Sequence, residues 1–162
     1  THLAIQGLLQ HCFPGYPVER SFFKQLPDFR YLLKKDGLLI AHMSVEHRLI
    51  NNDGQLIYIF GVADLCVDEA YQHQKIATRL LTELETLGKI HDIDFIVLQA
   101  KDHELYQNNG FLLQNNLCQW LLVSGNKTLG IARRRLEQSL MVKPLGEKHW
   151  KPGLTDFLGH VF

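Results

Sequence analysis

The steadiest periodicity in the chain begins at Ile76. Ile76, Ala77, Leu80, Leu81, Leu84 and Leu87 recur at the three-and-four spacing that gathers apolar side chains on one face, so a helix is predicted from about 75 to 90. Upstream the repeat changes. In LLIAHMSVEHRLI (38–50), Ala41, Met43, Val45 and Leu49 share one face and His42, Ser44, Glu46 and Arg48 the other, which is the alternation of a strand. NNDGQ at 51–55 signals a hairpin turn. LIYIFGVADLCV after it is long and mostly apolar, as a central strand covered on both faces should be. FIVLQA (95–100) is a shorter run of the same kind, and the helix between the two makes them a parallel βαβ unit.

The remaining segments read less sharply. HLAIQGLLQHC (2–12) predicts a short helix stopped by Pro14, Gly15 and Pro17, and SFFKQLPDF a connection or broken helix. FRYLLKK from Phe29 is a strand turning at Asp36-Gly37. KDHELYQNNGF holds one or two helical turns ended by Asn109-Gly110. FLLQ, LCQWLLV and SLMVKPL supply further strands, while SGNKTLGIARRRLEQ is polar and is expected to be an insertion or a short helix. Residues 1–162 form one expected domain, with a core at 29–143 and a tail at 144–162.

Charge and composition narrow the partners. The 17 basic and 17 acidic side chains cancel, so no global field draws in nucleic acid or an anionic membrane. Nine histidines are scattered without the spacing of a metal site. Cys12, Cys66 and Cys118 are odd in number and set among apolar residues, which suits buried thiols in a reducing compartment. No apolar run approaches the roughly 20 residues that span a bilayer, and no charged segment leads into an apolar stretch at the start. The cytoplasm is the expected location, and a homodimer is compatible with it.

One junction carries the chemistry. LCVDEAYQ runs from a strand end into the 75–90 helix with almost no loop and with neither Gly nor Pro at the turn. The first N–H groups of a helix have no internal partner and the dipole is positive there, so such a junction can hold a phosphate. Glycine in such a cradle removes a Cβ and lets the anion come close, but the donors are backbone groups. Lys75 therefore keeps the donor, and its ammonium can fold back over the anion.

This order of elements, with two local motifs, resembles the GCN5-related N-acetyltransferases over roughly residues 29–143. Gln72-His73-Gln74-Lys75-Ile76-Ala77 is similar to the family's acetyl-CoA signature, matching at Gln72 and Ala77 and departing from glycine at Lys75. LYQNNGF (105–111) is similar to its Tyr-x-x-x-Gly-Phe motif, with Tyr106, Gly110 and Phe111 in place. The resemblance implies an α/β (α+β) fold: a mixed, mostly antiparallel sheet with a central splayed parallel pair and flanking helices. It implies an acetyl-CoA-dependent N-acetyltransferase, acting on a primary amine of a small molecule by direct attack in a ternary complex. The alternative of the same fold is a catalytically weak CoA-binding or regulatory module. Acetyl-CoA would lie along Leu65, Cys66 and Val67 and be held by Gln72, His73, Gln74, Lys75, Ile76, Ala77 and Thr78. HWKPGLTDFLGHVF (149–162) is weakly similar to the tail of the aminoglycoside 2′-N-acetyltransferases. That likeness implies a tail that helps close the amine pocket through Asp156 and the carboxylate of Phe162.

Each candidate has a plainer reading beside the chemical one. Tyr106 is either the acid that protonates the departing thiolate or a half-buried core tyrosine; its phenol, with an ordinary pKa near 10, suits the first role. Asp64 interrupts an apolar strand, where an ionisable group is costly unless paired or functional, and is a candidate base. Its strand parity is wrong for that task unless a bulge intervenes. Glu46, also a candidate for acceptor binding, and His47 compete with it, and either is otherwise a surface residue. Direct transfer needs no enzyme nucleophile, so Cys66 is given no such role. Arg133-Arg134-Arg135 reads as a solvated turn.

Overall fold

The computed structural model describes every residue from Thr1 to Phe162. Helix α1 (His2–Cys12) ends at the Pro14-Gly15 break, and an irregular segment leads to β1 (Phe29–Lys35). Two positive-φ turns, Asp36-Gly37 and Asp53-Gly54, then fold the chain into the antiparallel run of β1, β2 (Leu38–Asn52) and β3 (Gln55–Val67). Helix α2 (Ile76–Ile90) crosses to β4 (Phe95–Gln99), which pairs with β3 in parallel as expected of a βαβ unit. The chain continues through α3 (Glu104–Asn108), β5 (Leu112–Leu113), β6 (Leu117–Ser124), β7 (Lys127–Arg135), β8 (Leu140–Pro144) and β9 (Thr155–Asp156). Together the strands make one nine-stranded mixed sheet in the order β5-β8-β4-β3-β2-β9-β6-β7, with β1 on β2.

The core lies on both faces of β3 and β4, as their unbroken apolar runs require. On one face Leu80, Leu81 and Leu84 of α2 pack on Met43, Phe60, Val62 and Ile96. Burying such side chains stabilises by about 1.5–3 kcal/mol each, so the sheet holds α2 in place more than its own propensity does. On the other face Ile57, Ile59, Phe95 and Val97 meet Trp120, Phe157 and Val161. At the upper end of that face, α1 buries Ile5, Leu8 and Leu9 beside Tyr16 and Cys66. This cover explains why His42 and Ser44, on the polar face of the alternating strand, are themselves buried.

Three local expectations are corrected. SGNKTLGIARRRLEQ is neither an insertion nor a helix: after a Gly125-Asn126 turn it forms edge strand β7, antiparallel to β6. A strand with both faces open to water carries no apolar alternation, so its sequence looks like a loop. Arg133, Arg134 and Arg135 accordingly lie on a strand and not in a turn; Arg133 donates to the Gln119 side chain and Arg134 covers Trp120. Within the tail, β9 inserts between β2 and β6, antiparallel to one and parallel to the other. Finally, the junction before α2 contains a 3₁₀ turn at Glu69–Tyr71 capped by the Asp68 carboxylate.

Candidate functional site

The parallel pairing of β3 and β4 ends at Val62 and Leu98, although β3 runs on to Val67. The strands part there, and a cleft of about 770 Å³ opens along Leu65, Cys66 and Val67. The start of α2 forms one wall, with Gln72, His73, Lys75, Ile76, Ala77 and Thr78; Leu105 and Tyr106 of α3 and the end of α1 form the others. Of the residues expected to hold the donor, the structure brings all but Gln74 to this cleft. Gln74 is exposed and does not line it.

The junction is a cradle built without glycine. His73 and Lys75 have positive φ, 61° and 59°, and Lys75 is the left-handed N-cap of α2. Lys75 therefore does not take the helical φ/ψ expected of it. A non-glycine residue there costs about 1–2 kcal/mol, which explains why this position favours glycine on conformational grounds as well as space. The first helical bond runs from Arg79 N–H to the Lys75 carbonyl at 3.0 Å. The amides of Ile76, Ala77 and Thr78 before it are left free at the positive end of a 15-residue helix. A left-handed residue followed at once by the right-handed helix turns successive amides inward, the concave arrangement that binds anions. The Gln72 side chain steadies the loop by donating to the Val67 carbonyl at 3.1 Å.

Tyr106 faces this cleft from α3, and its ring meets Phe111 edge-on at 5.7 Å. Gly110, at φ 84°, ends that helix and lets Phe111 turn back into the core. Burial, and after it the Asp102 carboxylate, push the Tyr106 phenol up to about 12. Cys66 also lies in the cleft, but burial pushes its thiol up and the neighbouring Cys12 adds to this, so it is a poor nucleophile.

Asp64 sits on a bulge. His42 pairs with Cys66 and Ser44 with Ala63, so two residues, Asp64 and Leu65, stand opposite Met43. Asp64 takes φ 51° and joins the α1 face, while Leu65 packs toward α2. The two neighbours thus serve different hollows: Leu65 the large cleft, Asp64 a cavity of about 20 Å³ with Ser44, Glu46 and Phe162. The Tyr16 hydroxyl donates to Asp64 Oδ2 at 2.7 Å. Burial raises the Asp64 carboxyl above its ordinary value, and the Tyr16 bond opposes that rise. His42 Nδ1 lies 2.9 Å from the Asp64 carbonyl, which fixes the proton on Nδ1; Nε2 and the Ser44 hydroxyl are buried without a partner. Glu46 is engaged by Arg48 at 3.4 Å and His160 at 3.0 Å.

The other competitors lie elsewhere. His47 packs on Phe60 and Tyr58, on the face away from Asp64. Asp156 accepts from Gln119 and from the Leu158 amide and lines neither hollow. Phe162 contributes its ring, stacked on Gly61 and against Phe157. Sequence reasoning missed Tyr16 and Lys24, which reach this region from the irregular segment before β1. The only local signal was an aromatic between two prolines, PGYP, and it names no partner.

A family model described as an acetyltransferase (GNAT) domain matches residues 28–112. The chain belongs to that family. The matched span of the GNAT domain runs from just before β1 to β5 and so contains the whole α2 cradle and Tyr106. No curated protein matches the sequence. Among solved structures, the GNAT-family N-acetyltransferase YhbS from Escherichia coli, in complex with CoA, superposes with a TM-score of 0.67 at 20% identity, over 96% of this chain and 83% of that one. Eis1 from Mycobacterium abscessus (TM-score 0.62, 16% identity) and a GCN5-related N-acetyltransferase from Anabaena variabilis (0.60, 15%) each match 70% of this chain. The chain spans only 30% of either of those two. At such identities the likeness is one of fold.

Proposed function

We propose that this GNAT domain transfers an acetyl group from acetyl-CoA to the primary amine of a small molecule, by direct attack in a ternary complex. The observation that carries the reading is the cleft: free helix amides at one end, the unpaired edge of β3 along its floor, and Tyr106 at the other side. The complex of YhbS with CoA supports the choice of donor. The residues fit the group, since a pyrophosphate needs amides that the chain leaves unpaired and the α2 start offers them. Acetyl-CoA, when bound, supplies an activated thioester.

This chain's own residues have separable tasks. The amides of Ile76, Ala77 and Thr78, with Gln72, His73 and the Lys75 ammonium, hold the anionic part. The β3 edge at Leu65 and Cys66 aligns the arm, Val67 having given its carbonyl to Gln72. Asp64, kept basic by burial, takes the proton of the amine from the small hollow that adjoins the cleft at the bulge, one residue before Leu65, and Tyr106 returns one to the sulfur. Holding amine and thioester in register supplies most of the rate. An aminoglycoside acceptor, the narrower likeness of the 149–162 tail, has less support, because Asp156 is engaged by Gln119 and Leu158.

Calorimetry with acetyl-CoA tests the reading: affinity in the micromolar range or better is expected, about 8 kcal/mol, and an amine panel followed by thiol release should show turnover. The cavity beside Asp64, at about 20 Å³, has room for little more than one water and favours the second reading, a CoA-binding regulatory module. CoA affinity without turnover of any amine would select it.

A further inference from the structure

The cavity beside Asp64 shares a wall with a larger hollow. Phe23 and Lys24 line both it and a neighbour of about 180 Å³ that runs out along the β6–β7 hairpin. The two ends differ in sign. The inner end presents Asp64, Glu46 and the unpartnered Ser44 hydroxyl, with Lys24 standing at the wall between the two. The outer end is lined by Arg20 and Lys24 and by no acidic residue.

Neither outer cation has a carboxylate partner. Lys24 Nζ donates to the Val161 carbonyl at 3.1 Å, and Arg20 Nη1 to the Asn126 side chain at 2.7 Å. Glu46, the acid that acts on Lys24, is itself committed to Arg48 and His160. Lys24 is half-buried, and burial pulls its ammonium below the ordinary lysine value against the pull of Glu46. A half-buried cation whose only hydrogen-bond partner is a carbonyl, with the Phe23 ring beside it, is stabilised by an arriving anion, which restores what burial removed.

We propose that the acceptor is an amine bearing a carboxylate at its far end, with only its water-sized amine head in the small space beside Asp64 and its chain and carboxylate in the outer hollow between Lys24 and Arg20. The inference rests on the acetyl-transfer reading of the same site and narrows its substrate class. Anchoring both ends of a dipolar molecule fixes the register of its amine, and a polycation would meet Lys24 and Arg20 as repulsive groups.

The test compares ω-amino acids from glycine to 6-aminohexanoate with the matching amino amides, which keep the amine and lose the anion. Thiol release from acetyl-CoA gives kcat/KM for each, and calorimetry of the N-acetylated acids and amides on the CoA-bound protein reads the same preference without turnover. At one chain length or more the acid should exceed the amide by about tenfold. That ratio should fall toward one in Lys24→Met and persist in Lys24→Arg. A ratio at or below one at every length in both measurements overturns the inference, as does a ratio unchanged by both Lys24→Met and Arg20→Gln. Acetyl-CoA binding without acid preference removes this inference alone; a protein that does not bind acetyl-CoA removes the acetyl-transfer reading with it.

Discussion

Burial, and after it the Asp102 carboxylate, hold the Tyr106 proton up to about 12, so the phenol enters the reaction protonated and hands its proton over only as the C–S bond breaks. Tyr106→Phe keeps the ring against Phe111 and should lower kcat about 10²-fold while leaving acetyl-CoA affinity intact. Single-turnover kinetics on a verified amine decide it; a wild-type rate with chemistry limiting would make the residue purely structural. His42 provides a second test. Its imidazole is pushed down to about 4, chiefly by burial, against an ordinary 6.5. The unfolded chain thus takes up a proton that the folded one refuses. Stability is whole above pH 6.5 and falls as the pH drops toward 4, by about 3 kcal/mol in all. Urea midpoints at pH 7 and pH 5 should show the wild type losing more than His42→Gln; equal losses would refute the assignment. Lys75, left-handed at the head of α2, gives a third. Lys75→Gly should raise stability by up to about 1 kcal/mol, while Lys75→Glu weakens acetyl-CoA binding well beyond it. Much of this was legible because 72–78 and Tyr106 belong to contiguous motifs. The side to which Asp64 points was not, since a bulge is a property of how β2 and β3 pair and not of spacing within either.

At the level of elements, the contrast between α2 and the strands that sequence missed is instructive. The α2 helix buries one face and exposes the other, and that asymmetry writes a 3.6-residue period into its sequence. Strand β7 buries almost nothing and β9 is two residues long, so neither leaves a period to read. The tail that contains β9 is core and not a detachable lid, because Phe157 and Val161 are buried to 0% and 2% exposure. Removing residues 157–162 would therefore unsettle the fold before it reported on the acceptor. Phe157→Ala alone should cost about 3–5 kcal/mol. A cleaner probe is Gly61→Ala, whose methyl would occupy the space of the Phe162 ring. Expelling that ring should cost about 1–3 kcal/mol and raise the KM for amine with little change for acetyl-CoA, since Phe162 lines the Asp64 cavity and not the cleft. An unchanged KM would remove Phe162 from the acceptor site.

For the molecule as a whole, the sides proposed for donor and acceptor differ in how they are assembled. The donor cleft draws its cradle and its tyrosine from one stretch, within the matched residues 28–112. The hollow proposed for the acceptor gathers Tyr16, Lys24, Glu46, Asp64 and Phe162 from across the chain, and no local pattern announces such a meeting. If the donor reading holds, acetyl-CoA at a hundredfold excess over its Kd should raise the unfolding free energy by about 2.7 kcal/mol, visible as a thermal shift absent with acetate alone. The sheet order has a consequence for how the protein is made. Apart from β7, the only sheet neighbour of β6 is β9, which follows every other strand in the sequence. On the ribosome, the β6–β7 hairpin must wait with an open edge until residues 155–156 have emerged, so that completion of this half of the sheet is timed by the ninth strand.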